Sequence, residues 1–196
     1  VRTITDRMLA ECYRIFYHPD NMVLVICGDL DYQETLDTAN KIWEVRYPQN
    51  RGDIQRQLPE EPTDIKNRAT TESMSVARPH ILLGYKDTVI GLKGAKLLRH
   101  NIINDLMIEL LFGRSTKLYN RLYEEGMIDD NFGVSYNCYE TYGFTVINAE
   151  TDQPDEFYKR ILTELTSAHK NRFKNRDLAR LKHKSAGKFT WAFNAP

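Results

Sequence analysis

The order of periodic segments predicts an α+β fold, an antiparallel sheet with helices packed on one face. Three observations carry this. Phe132, Val134, Tyr136 and Cys138 alternate strictly with Gly133, Ser135 and Asn137, the pattern of a strand with one buried face. A turn over Tyr139–Gly143 leads into a second apolar stretch, Phe144–Ala149, so strands come as hairpins. Leu98, Ile102, Leu106 and Leu110 recur every four residues, the period of an amphipathic helix. From residue 67 onward the expected order is β-β-α-α-β-β-α-α, with helices segregated between the strand pairs.

The elements follow in order. Thr5-Asp6 precede a helix with Met8, Leu9, Cys12, Tyr13 and Phe16 on one side. Pro19 ends it, because proline biases its predecessor away from helix and offers no N–H. Met22–Cys27 is an all-apolar, β-branched run, expected to be a strand covered on both faces. Gly28 breaks it, and Asp29 or Asp31 caps a helix through about Glu44 whose buried stripe is Tyr32, Leu36, Ala39 and Trp43. Two short strands are expected at 69–76 and 80–85, then the long helix through Phe112, widened by Ile103, Met107 and Leu111. Gly113 is placed as the left-handed residue that ends this helix, and Ser115 as the cap of a short one closed by Gly126. Pro154 opens a helix with Phe157, Ile161, Leu165 and Ala168 on one face, and a basic helix covers about 175–193.

Between these blocks, residues 46–66 carry Pro48, Gly52, Pro59 and Pro62 among charged and amide side chains, without periodicity. The expected organisation is 1–48 as the trailing helix–strand–helix of an upstream domain, 49–66 as linker, and 67–196 as a second domain shortened at its C-terminal end. Both chain ends read as cut: the sequence starts at Val1 and stops at Pro196 just after a helical pattern.

With 196 residues there is room for one sizeable core, or one domain plus part of another. Lys and Arg balance Asp and Glu at 27 each, which gives a general polyanion-binding role no support. The basic stretch 170–184 is the one charge asymmetry, and a solvated helix face explains it better than a nucleic-acid surface. Cys12, Cys27 and Cys138 form no Cys-x-x-Cys pair, and with no signal peptide they read as reduced thiols in a cytoplasmic protein. The longest apolar run is too short to cross a bilayer, so no membrane role is expected.

Catalytic chemistry finds little support. Zinc needs three or four convergent ligands, usually two of them at helical spacing. His18, His80, His100, His169 and His183 never fall at i, i+3 or i, i+4 around a carboxylate; His100 with Asn104 and Asp105 is the nearest approach. Cys12 and Cys138 sit at core-facing positions, where a thiol acts as a small hydrophobe rather than a nucleophile. Ser115 lacks a nucleophile-elbow turn, and Glu60-Glu61 and Glu124-Glu125 are exposed acidic pairs rather than an acid/base site. No catalytic, cofactor-binding or metal-binding residue is therefore expected within the chain.

Four stretches carry a family resemblance: Phe16–Asp31 (FYHPDNMVLVICGDLD), Leu110–Tyr119 (LLFGRSTKLY), Leu122–Ile128 (LYEEGMI) and Lys182–Asn194 (KHKSAGKFTWAFN). In this order and spacing they resemble the pitrilysin/insulinase-type zinc peptidases, the inverzincins, and the processing-peptidase-like subgroup of the bacterial cytosol. The resemblance implies two tandem α+β domains per half-enzyme, with two halves closing around a peptide. It implies zinc in an upstream domain of the parent protein, since the chain has no His-x-x-Glu-His. Zinc-free partner halves of that family carry an Arg and a Tyr that complete the active site. The matching positions here are Tyr123 and roughly Asp129, so both groups are missing, as in the second domain of a zinc-bearing half or of an inactive paralogue.

The implied function is a non-catalytic domain of an endopeptidase, part of a peptide-binding chamber. The alternative is an inactive paralogue that scaffolds a partner. Implied partners are a peptide or unfolded polypeptide and a second peptidase half, in the same chain or another subunit. A homodimer of the chain is a further option: residues 21–44 could fill the place of a last strand missing from the second domain, within the chain or swapped between copies. Val23 and Val25 would then be covered.

Overall fold

A computed structural model of the chain describes residues 3–18, 21–46, 57, 60–170 and 173–194. Most of the expected linker, 49–66, lies outside the described residues up to position 59. The chain divides into two units, one of Val1–Leu58 with Phe193–Pro196 and the other of Pro59–Ala192.

In the first unit, α1 (Asp6–Phe16) starts where the Thr5 hydroxyl accepts the Met8 N–H at 3.2 Å, and α2 (Tyr32–Arg46) where the Asp31 carboxylate accepts the Glu34 N–H at 2.8 Å. Both caps are as the sequence predicts; Pro19 lies outside the described residues. The strand expected at 22–27 does not form. Its residues pair with no other strand among the described residues, and Val23 and Val25 are 87% and 82% exposed. This overturns the idea that residues 21–44 complete the second domain's sheet within the chain. A strand with two apolar faces needs hydrogen-bonded neighbours and covering layers, and the described part of this unit holds two helices and no sheet. The same deficit leaves Cys12, Tyr32 and Trp43 exposed, so neither Cys12 nor the α2 stripe is core.

The second unit is built on three antiparallel strands, β1 (His80–Lys86), β2 (Gly133–Cys138) and β3 (Gly143–Glu150), in the order β1-β3-β2. The register sets Leu83 and Val134 both opposite Ile147, and Ile81 opposite Ala149, so one face of the sheet is apolar across all three strands. Against it pack α4 (Lys117–Glu124) and α5 (Pro154–Lys170) through Leu118, Leu122, Phe157 and Ile161, all of them buried. α3 (Gly94–Phe112) and α6 (Asn175–Ala192) complete the helical layer. The other sheet face carries Leu82, 71% exposed.

Three further expectations change. Residues 69–76 form no strand: their apolar side chains, Met74 and Val76, are exposed at 68% and 48%, too few to anchor a strand beside β1. The expected order therefore loses its first strand and becomes β-α-α-β-β-α-α. Gly113 ends α3 with φ −60° and ψ 149°, so no left-handed residue is involved. Glycine is required there by close approach, because a Cβ would lie 2.4 Å from the Glu109 carbonyl oxygen. Nor does Ser115 cap α4: the Thr116 hydroxyl accepts the Tyr119 N–H at 3.1 Å, and Ser115 accepts from Arg180. Gly126 closes α4 as expected, and it is this glycine, at φ +69°, that is left-handed.

Candidate functional site

β1 and β2 are the edge strands. β2 pairs with β3 on one side, and along its other side runs a groove of about 660 Å³ between α3 and α6. Four consecutive β2 residues, Gly133–Tyr136, line it. Successive side chains of a strand point to opposite faces, so both faces of β2 contribute to the lining. The opposite walls are apolar at Ile108, Phe112 and Leu181, with Lys184 held by Glu109 at 2.9 and 3.0 Å and Lys188 beside them. Asp105 also lines it, and partial burial pushes its carboxyl above the ordinary value.

Beside this groove lies a polar cluster whose members come from three elements. Asp87 follows β1, His100 sits on α3, and Tyr136 and Cys138 are on β2. His100 Nε2 is 2.8 Å from Asp87 Oδ2, to which the Tyr136 hydroxyl also donates, while the Val89 N–H donates to Oδ1 at 2.8 Å. Burial pushes the Asp87 carboxyl up, but hydrogen bonds from Tyr136, His100 and Val89 outweigh it and hold the group below its ordinary range. Burial first, then the Asp87 carboxylate and Cys138, push the Tyr136 phenol strongly upward. Gly143 makes room for this packing: a Cβ there would stand 2.9 Å from the Asp87 Cβ and 3.1 Å from Cys138 Sγ.

Cys138 is buried and its thiol donates to the Tyr139 carbonyl at 3.5 Å, as a core thiol rather than an accessible nucleophile. The structure does bring it to His100 and Asp87, which sequence reasoning missed because three separate elements supply the three residues. Three of the other histidines lie on other parts of the unit: His80 faces Glu150 at 3.8 Å, His169 sits in the last turn of α5 and His183 lies on α6. Tyr123 is half-exposed and stacks on Tyr119, while Asp129 pairs with Arg78 at 3.5 Å. The basic stretch of α6 is largely solvated. Among the described residues no helix is long and apolar enough to cross a membrane.

The chain matches the family model described as the peptidase M16 inactive domain over residues 3–185. It is 32% identical to the uncharacterized zinc protease YmfH of Bacillus subtilis (strain 168) over 199 aligned positions, covering 98% of the chain and 45% of that protein. A crystal structure of an M16-like peptidase from Alicyclobacillus acidocaldarius superposes with a TM-score of 0.72 at 29% identity, covering 98% of the chain and 45% of that one. The chain thus spans a little under half the length of these relatives. The five histidines offer no His-x-x-Glu-His, so the paired helical histidines of a catalytic zinc are not supplied by this chain. This chain belongs to the M16 peptidase family, as the part of it known as the inactive domain.

Proposed function

We propose that this chain is a non-catalytic wall of the peptide chamber of a zinc-dependent endopeptidase of the bacterial cytosol, and that its β2 edge takes an extended stretch of substrate. The observation that carries this is the groove lined by Gly133–Tyr136, on a strand that pairs with one neighbour in the described sheet. An extended peptide laid there gains backbone hydrogen bonds, which give affinity with little sequence preference. The apolar walls of Ile108, Phe112 and Leu181 would cover alternate side chains of that peptide. Zinc chemistry, a metal-activated water, belongs to the remainder of the parent protein. The exposed run Met22–Cys27 supports this division, because apolar surface so extensive calls for a covering partner. Residues 1–48 are accordingly the trailing edge of the upstream domain, 49–66 a linker, and 67–196 the chamber wall. A second peptidase half closes the chamber.

The test is the whole parent protein cleaving a quenched fluorescent peptide, with and without Ile108→Trp. The introduced indole would fill part of the groove and remove binding shared by ground and transition states. KM should rise with kcat little changed. An unchanged KM contradicts the reading. A zinc-loaded parent that binds peptide without cleaving it favours the inactive, partner-binding paralogue instead.

A further inference from the structure

Asp87, His100 and Cys138 present a carboxylate oxygen, a ring nitrogen and a sulfur that all lie within 4.8 Å of one another. They come from the end of β1, from α3 and from β2, and all three side chains are largely shielded from solvent. We propose that these three residues bind one divalent transition-metal ion, which clamps α3 to the sheet. The spacing of the histidines in sequence offered no such site; the fold creates it.

The donor set argues for the class of ion. A thiolate with an imidazole and a carboxylate suits zinc, whereas hard cations such as magnesium and calcium take oxygen ligands. The ion is distinct from a family zinc held by paired histidines on one helix, which this chain lacks. On insertion the proton between His100 Nε2 and Asp87 Oδ2 moves by way of solvent to His100 Nδ1, so that a neutral imidazole binds through Nε2. The Cys138 thiol gives its proton to solvent, and a water completes the tetrahedron. Bonds of about 2.0 Å in a tetrahedron set nitrogen and oxygen donors roughly 3.3 Å apart. The His100–Asp87 pair, at 2.8 Å, therefore needs to open only slightly.

The surroundings suit a ligand set. Asp87 Oδ1 is fixed by the Val89 N–H, which leaves Oδ2 aimed at His100, and the Tyr136 hydroxyl donates to that same oxygen. Such outer contacts orient metal ligands. A second observation concerns Asn101, whose amide nitrogen donates to the Cys138 carbonyl at 3.4 Å. Its Oδ1 is buried without a hydrogen-bond partner.

The probe is cobalt(II), added to the 196-residue chain in a Cys12→Ser/Cys27→Ser background so that the exposed thiols do not compete. The expected result is one cobalt per chain, with tetrahedral d–d bands and a sulfur-to-cobalt charge-transfer band that zinc bleaches. His100→Gln and Asp87→Asn, checked for native circular dichroism, should each lose the tetrahedral spectrum, and Cys138→Ala the charge-transfer band. Tyr136→Phe should keep the spectrum and weaken binding on the order of 10–100-fold. The proposal is overturned if cobalt keeps its octahedral aqueous spectrum. It is equally overturned if folded His100→Gln and Asp87→Asn bind as the parent background does.

Discussion

Gly113 lies so close to the Glu109 carbonyl that a single methyl group has nowhere to go. Gly113→Ala should cost about 1–3 kcal/mol in urea unfolding, the usual range for forced overpacking. A change under a few tenths would show that the turn after α3 is free to relax. Glycine at this position was legible in the sequence as a helix stop, but its reason was not: a contact between backbone atoms leaves no trace in composition. The cap of α4 was misread by one residue for a similar cause, since Ser115 and Thr116 are chemically equivalent candidates and only geometry chooses. Asp105 gives a prediction in pH. Partial burial raises its pKa in the fold, so the protonated form is favoured there. Its contribution to stability is therefore full below the ordinary carboxylate range and lost as pH rises through the raised value. Asp105→Asn should match the native chain near pH 3 and exceed it near pH 7 by less than about 0.5 kcal/mol, because solvent screens the partly exposed group.

At the scale of elements, α5 was legible because its instructions are local. Pro154 starts it, and Phe157 and Ile161 repeat at helical spacing and are both fully buried. Phe157→Ala should lower the unfolding free energy by about 3–5 kcal/mol, since the ring fills the space between sheet and helices. A loss below about 1 kcal/mol would mean that the core lies elsewhere. Thr116→Ala should cost about 1 kcal/mol, read in the same urea titration, by removing the α4 cap. Strands fared less well than helices. β2 and β3 were readable from alternation and a shared turn, whereas 22–27 had the composition of a strand but no neighbour to pair with among the described residues. A strand is a statement about its partners, and a sequence window contains only half of that statement. The Asp87–His100–Cys138 cluster was illegible for the same reason, as each member rides on a different element and no periodicity links them.

On the scale of the whole molecule, the exposed apolar run of the first unit and the open edge of β2 make different demands. The first asks for a permanent cover, which the remaining length of the M16 relatives can supply. Val25→Lys should accordingly raise the solubility of the isolated chain. In the whole parent protein the same change should lower activity, because there the position would be covered. The second asks for a transient strand, and this is the central functional claim. It is tested most directly by amide hydrogen exchange on the chain with and without an extended, unstructured peptide. Binding at the β2 edge predicts slowed exchange confined to Gly133–Tyr136 and the neighbouring faces of α3 and α6, with β1 unchanged. Protection along β1 instead, or none along Gly133–Tyr136 at peptide concentrations that saturate binding, would contradict it.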